Sequence, residues 1–236
     1  MKKFLFGSIL IALLFSIISC HKKAQNIPHY TISKVFKTDT LTTLNVHIGK
    51  RMTATDLMLI AGKLKADSIN IKNLAVHYLL PGNTDLSAGD NSFYAAVRFL
   101  KDTEVKSTDS LKDDDGHPVR LKIYGLDSTK AQQLLALQPD ITFGKTILGR
   151  FIDDYNHTVI IPFRDPTDKK DEIFVIELDA TGKIVSATVP HKKVEDGVEK
   201  WLVTQNGDYI TIKDSVLAQY PENQLGLPYN SIKSGI

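Results

Sequence analysis

The residues that could do chemistry in this chain are few and scattered. Seven histidines are present, His21, His29, His47, His77, His117, His157 and His191, each isolated in sequence. None forms the H-x-x-x-H or H-E-x-x-H pairing that puts two imidazoles on one helix face, so no zinc site is expected. Asp113-Asp114-Asp115-Gly116 has the composition of a calcium loop but not its register. With Gly116 at the sixth position, Leu111 and Lys122 fall at the first and twelfth, where acidic oxygens are required. A solvated turn is the expected form. The adjacent carboxylates Asp153-Asp154 and Asp171-Glu172 fall at expected turns, and a glycosidase pair is defined by spatial separation rather than by adjacency. The sequence contains no G-x-S-x-G, P-loop or G-x-G-x-x-G pattern, so neither a serine nucleophile nor a nucleotide phosphate has a ready cradle. Trp201 lies in an extended run and is expected to pack in a core or at a barrel end. No cofactor is expected.

Cys20 is the only cysteine, which excludes an internal disulfide. It closes a run that starts with Lys2 and Lys3 and continues as a mostly apolar segment from Phe4 to Ile18. That is the layout of a secretory signal. The run is too short to span a bilayer, which needs roughly 20 apolar residues. Ile17-Ile18-Ser19-Cys20 resembles the lipobox of bacterial lipoproteins. The resemblance implies a diacylglyceryl group on the Cys20 sulfur, cleavage before Cys20 and acylation of the new amine. Two or more acyl chains give a stable membrane anchor where one gives a marginal one. The membrane is therefore the first expected partner, with another envelope protein as a second.

Removing residues 1–19 leaves 217 of the 236 residues, enough for one large or two small domains. Lys2 and Lys3 account for the formal charge of +2, so the remaining 27 basic residues balance 27 acidic ones. No basic block or basic helix face appears, which argues against a nucleic-acid partner. His21, Lys22 and Lys23 open a polar tether over residues 20–33. Its lysines suit anionic headgroups; lipoproteins of the type resembled here that reach the cell surface tend to carry acidic residues just after the cysteine, so the resemblance implies the periplasmic side of a membrane.

Residues 34–140 read as an α+β unit in the order β-α-β-β-β-α, its helices on one sheet face. Leu44, Val46 and Ile48 alternate with Asn45 and His47 in an amphipathic strand. Thr53 and Asp56 are spaced as a capping box, and Leu57, Ile60, Ala61 and Leu64 recur at helical spacing, predicting a helix over 54–66. Further strands are expected over 72–80, from Phe93 to Phe99 and from Val119 to Ile123. A short helix capped by Asp127 or Ser128 is expected to run to Leu137, before Pro139. The sheet face away from the helices would gather Asn45, His47, His77, Tyr94, Arg98, Lys122 and Tyr124. Of these, His47, His77, Tyr94, Arg98 and Tyr124 form a candidate binding face, weighed against a merely solvated or covered one.

Residues 144–216 read as a second unit of short strands, over 147–152, 157–163, 172–179, 183–189, 198–205 and 208–213. Asn206-Gly207 between extended runs is a hairpin signal. An antiparallel β-meander or small barrel is expected, followed by a surface or disordered tail over 217–236.

Leu79-Leu80-Pro81-Gly82, after a helix and strand and before an aromatic strand, resembles a module of uncharacterised bacterial lipoproteins of the Bacteroidetes type. Gly149-Arg150-Phe151-Ile152-Asp153-Asp154 resembles the "GKWIDD" opening of the small β domain that follows it, with Phe151 in place of tryptophan. The resemblance covers most of the mature chain and implies no activity. The same opening invites comparison with lipocalin-like carriers of apolar ligands, although six strands are few for a cavity. Together these features indicate a membrane-anchored lipoprotein that binds a partner or serves as an envelope scaffold. A carrier of a small apolar ligand and a hydrolase with dispersed carboxylates are the alternatives.

Overall fold

The computed structural model describes residues 26–68, 70–83, 93–99, 110–112, 118–168, 170, 172–221, 228 and 230–234. The expectations for residues 1–19, Cys20, Asp113–Gly116, His21 and His117 lie outside the described residues.

The first sheet has strand order β1-β2-β3-β4-β6-β5: β1 (Tyr30–Lys37), β2 (Thr42–Ile48), β3 (Leu74–Leu79), β4 (Ala95–Phe99), β6 (Pro118–Ile123) and β5 (Ser110–Lys112). β2 and β3 are parallel and the other pairings antiparallel. Parallel neighbours need a crossover, and α1 (Ala54–Asp67) supplies it. The capping box forms: Thr53 Oγ1 accepts from the Asp56 N–H at 3.2 Å, and Asp56 Oδ2 accepts from the Thr53 N–H at 3.4 Å. These bonds satisfy two of the donors a helix start leaves orphaned. Leu57, Ile60, Ala61 and Leu64 are then buried against Leu44, Val46, Val76, Tyr78 and Val97. Each of the larger side chains contributes about 1.5–3 kcal/mol by leaving water. Tyr78 is fully buried and donates from its hydroxyl to the Leu57 carbonyl at 2.6 Å, which ties the helix to the middle of the sheet.

The second sheet comprises β7 (Thr146–Ile147), β8 (Phe151–Asp153), β9 (Thr158–Arg164), β10 (Ile173–Leu178) and β11 (Ile184–Thr188). Its order is β11-β10-β9-β7, with β8 also paired to β9. β9 carries the unbroken apolar run Val159-Ile160-Ile161-Pro162-Phe163 and is buried on both faces. α2 (Ser128–Leu135) covers one face, where Ala131 and Leu134 meet Ile152, Val159, Ile161 and Leu178. A third sheet covers the other. It is a meander of β12 (His191–Glu195), β13 (Val198–Leu202), β14 (Tyr209–Lys213), β15 (Val216–Tyr220) and β16 (Asn230–Lys233). Trp201, Ile210 and Leu217 pack against Phe151, Ile160, Ile173 and Val175 between the two sheets. The molecule is thus an α+β fold built mostly of strands.

Several expectations change. The second helix does not share the first sheet with α1, because that sheet's apolar face is already filled; it serves the second sheet instead. The C-terminal part is two stacked open sheets with a meander, not a small barrel. The tail over 217–236 begins inside β15 and includes β16, since Leu217, Ala218 and Ser231 are buried at the sheet and carry it into the core. The tether over 20–33 overlaps β1, whose residues 30–32 already pair with β2. β12 was not expected: its residues are polar and largely exposed, so they carry little pattern. No helix among the described residues is long and apolar enough to cross a membrane.

Candidate functional site

The first and second sheets meet at a partly buried ion pair. Arg51 ends the short Gly49-Lys50 link after β2 and is 6% exposed. Its guanidinium grips the Asp154 carboxylate with both terminal nitrogens, Nη2 donating to Oδ2 at 2.9 Å and Nη1 to Oδ1. Nη1 also donates to the Leu126 carbonyl at 2.9 Å, and the Leu126 N–H donates to Asp154 Oδ1 at 2.9 Å. Such a planar, bidentate pair fixes orientation as well as distance. The Tyr94 ring lies 5.7 Å from the guanidinium, and its hydroxyl donates to the Met52 carbonyl at 3.0 Å. Burial pushes the Tyr94 phenol above its ordinary range. Gly125 lets these groups close up: a Cβ there would lie 2.5 Å from the Tyr94 ring and 2.7 Å from Asp154 Oδ1. A second clasp is made by β16, where Asn83 Nδ2 donates to the Ser231 carbonyl at 2.9 Å.

Beside this seam opens a cleft of about 610 Å³. The starts of both helices border it, with Met52 and Thr53 on one side and Asp127 and Lys130 on the other. Met52, Ile123, Leu126 and Leu134 give it an apolar wall; Thr53, Lys130, Gln133 and His157 give it a polar rim. His157 is held in the left-handed region at φ 57°. Its Nε2 donates to the Tyr124 carbonyl at 3.2 Å, which a carbonyl can only accept. The N-terminal amide of α2 holds the Asp127 carboxyl below its ordinary range through the Lys130 N–H. The volume falls within the usual range for small-molecule sites, about 300–1,000 Å³, and the mixed lining is typical of them. By contrast, the gap between the second and third sheets is about 150 Å³.

The expected binding face is only partly assembled. His47, His77 and Arg98 do share one face with Asn45 and Lys122, as the strand registers require. Tyr94 does not. It precedes β4 in a bend, so the strand's alternation does not reach it, and it is buried on the helix side at the seam. Phe93 takes the opposite direction. It stacks on His77 with ring centroids 4.1 Å apart and meets Tyr124 edge-on at 5.3 Å, over Leu79 and Ala96. Half of the face is therefore covered, and the exposed part centres on Arg98, Arg120 and Lys122.

The described carboxylates with shifted acidity all move downward. Asp165 is held at about 2 by Lys145 and Thr167, and Glu195 at about 2 by Lys193 and Lys200. A general acid requires the opposite shift. Among the described residues no group of three or more His, Cys, Asp or Glu side chains gathers as metal ligands would. In sequence Asp154 reads only as half of a carboxylate pair at a turn, and nothing there ties it to Arg51 or Gly125. The Tyr124-Gly125 step just before the Asp127 cap was the one local signal of a close approach. Comparison with protein-family models, curated proteins and solved structures finds no match.

Proposed function

We propose that this chain is a lipid-anchored binding module of the cell envelope, held on the periplasmic side of a membrane through Cys20, and that it takes a small ligand in the seam cleft. The anchor is supported by the signal-like N-terminus and by Cys20 at its end. The binding role is carried by one observation: a cleft of about 610 Å³ with an apolar wall and a polar rim.

A fluorescent dye with an apolar ring system and a sulfonate, anilinonaphthalene sulfonate, tests the cleft. Saturable one-to-one binding to the chain from residue 21 onward is expected. Gln133→Trp places bulk in the cleft from an exposed helix position. It should weaken binding by about tenfold or more, equivalent to about 1.4 kcal/mol, with an unchanged thermal midpoint. Equal affinity in the variant would remove the cleft from the proposal. Separately, Cys20→Ser should abolish the acyl mass increment and release the protein from the membrane fraction. Retention in that fraction would remove the anchor.

A further inference from the structure

The uncovered part of the first sheet's outer face has a charge pattern that the helix-covered side lacks. Arg98 and Arg120 are directly opposite each other across β4 and β6, both exposed. Like charges in that relation destabilise a sheet, and neither arginine forms an ion pair with a described residue. Lys122 stands one pleat away on the same face, its ammonium 4.3 Å above the Tyr124 ring. Lys34 joins the same side from β1, above the Phe36 ring at 4.9 Å. The described carboxylates of this unit are elsewhere. Asp39 lies in the link between β1 and β2, Asp56 caps α1, and Asp67 is bound by Lys63 on the helix.

We infer that this face docks on the anionic headgroups of the membrane that carries the anchor. The inference rests on the lipoprotein reading for the membrane's proximity. Charge complementarity selects the occupant, and the reach of the chain permits it. From Cys20 to Tyr30 ten residues span at most about 35 Å. Adjacent strands are about 4.8 Å apart, so β4 lies only about 14 Å from β1, where the tether enters. The face can therefore lie flat on the bilayer with the tether slack. Aromatic and cationic groups suit that depth: Phe36 offers an exposed ring and Tyr124 a half-buried one, and the cations above them offer charge to lipid phosphates. Docked this way, the first sheet would face lipid and the helix side would face the periplasm.

The test uses the chain from residue 21 onward, which carries no acyl group and so does not depend on Cys20. It is sedimented with phosphatidylcholine vesicles containing about 30 mol% phosphatidylglycerol, and with phosphatidylcholine vesicles alone. Each cation near an anionic surface is worth about fivefold in partitioning, so neutralising three should cost about a hundredfold. Arg98→Gln/Arg120→Gln/Lys122→Gln should show that loss. Lys170→Gln/Lys183→Gln/Lys213→Gln, exposed cations of the second and third sheets, should leave binding within about fivefold of the parent. Binding should weaken as ionic strength rises past about 0.1 M, where the screening length is about 10 Å. Equal binding to both vesicle types, or an equal loss in the two triple variants, would overturn the inference. So would saturable binding of inorganic phosphate that competes with vesicles at equal phosphate concentration, which would make the site one for a free anion. Absence of vesicle binding at any ionic strength would also overturn it and would indicate that the chain's own acids cover the face. None of these outcomes bears on whether Cys20 is lipidated.

Discussion

Asp154→Ala is the sharpest probe of how the two parts of this chain are joined. The carboxylate it removes accepts two guanidinium bonds from Arg51 and one amide bond from Leu126. Truncation leaves a guanidinium that is 4% exposed without its counter-ion, and an amide without its acceptor. Breaking a buried pair by removing one partner costs about 3–5 kcal/mol, and an orphaned N–H adds about 1–3 kcal/mol. The Asp154 side chain is itself 25% exposed, so water replaces part of what is lost. The lower end is therefore expected, about 3 kcal/mol. The assay is urea unfolding followed by two signals. Trp201 is the single tryptophan and sits between the second and third sheets, so its fluorescence reports the C-terminal part. Far-UV circular dichroism is weighted to the 14-residue α1 and reports the first sheet's unit. In the parent the two transitions should coincide, as a cooperative fold requires; in Asp154→Ala they should separate as well as shift. Replacing both residues with leucine removes the stranded charge. Arg51→Leu/Asp154→Leu should thus cost less than the sum of its singles by about 1–3 kcal/mol. A loss under about 1 kcal/mol in Asp154→Ala, with additive singles, would show that the pair is not what joins the units.

Gly125→Ala would push a methyl group into the Tyr94 ring and the Asp154 carboxylate, which are backed by Arg51 and cannot yield freely. A cost of about 1–3 kcal/mol is expected from this overpacking in urea unfolding; a neutral result would mean that the seam is loose. Glu195 and Asp165 make a pH prediction. Their folded values of about 2 lie below the ordinary 4.5 and 3.8. The stability they add is complete above those ordinary values and is lost as pH falls from there toward 2. Thermal midpoints should therefore fall across that window. Glu195→Gln/Asp165→Asn should flatten the slope there while leaving any loss at other pH values in place. An unchanged slope would assign acid sensitivity to other groups.

Local signals in the chain were dependable where a single segment decides the outcome. The Thr53–Asp56 spacing forms its cap, and the burial of Leu57, Ile60, Ala61 and Leu64 follows from helical period alone. Asn206-Gly207 turns the chain between β13 and β14, with Gly207 at φ 94°. Edge strands were harder to see. β1 pairs on one side only and leaves Ile32, Val35 and Phe36 exposed, so its apolar residues do not sort by period into a buried face. Tyr94 was misplaced for a related reason: alternation predicts a direction only inside a strand, and the strand starts one residue later. The seam was invisible because it joins residues 103 positions apart, and a charged residue in a turn looks the same in sequence whether it meets water or a buried arginine.

Charge was the least legible property of all. The chain without Lys2 and Lys3 has equal numbers of acids and bases, which argues against an anionic partner when the whole composition is averaged. Folding does not preserve that average. Strand pairing sets Arg98 against Arg120 and brings Lys122 to the same side, while α1 keeps Asp56 and Asp67 on the other. Neutrality of a sequence is a sum over all directions, whereas a membrane surface meets one direction at a time and is screened beyond about 10 Å. A polyanionic surface can therefore discriminate among faces of a neutral protein. The vesicle experiment on the arginine face measures that local excess, which the total charge conceals.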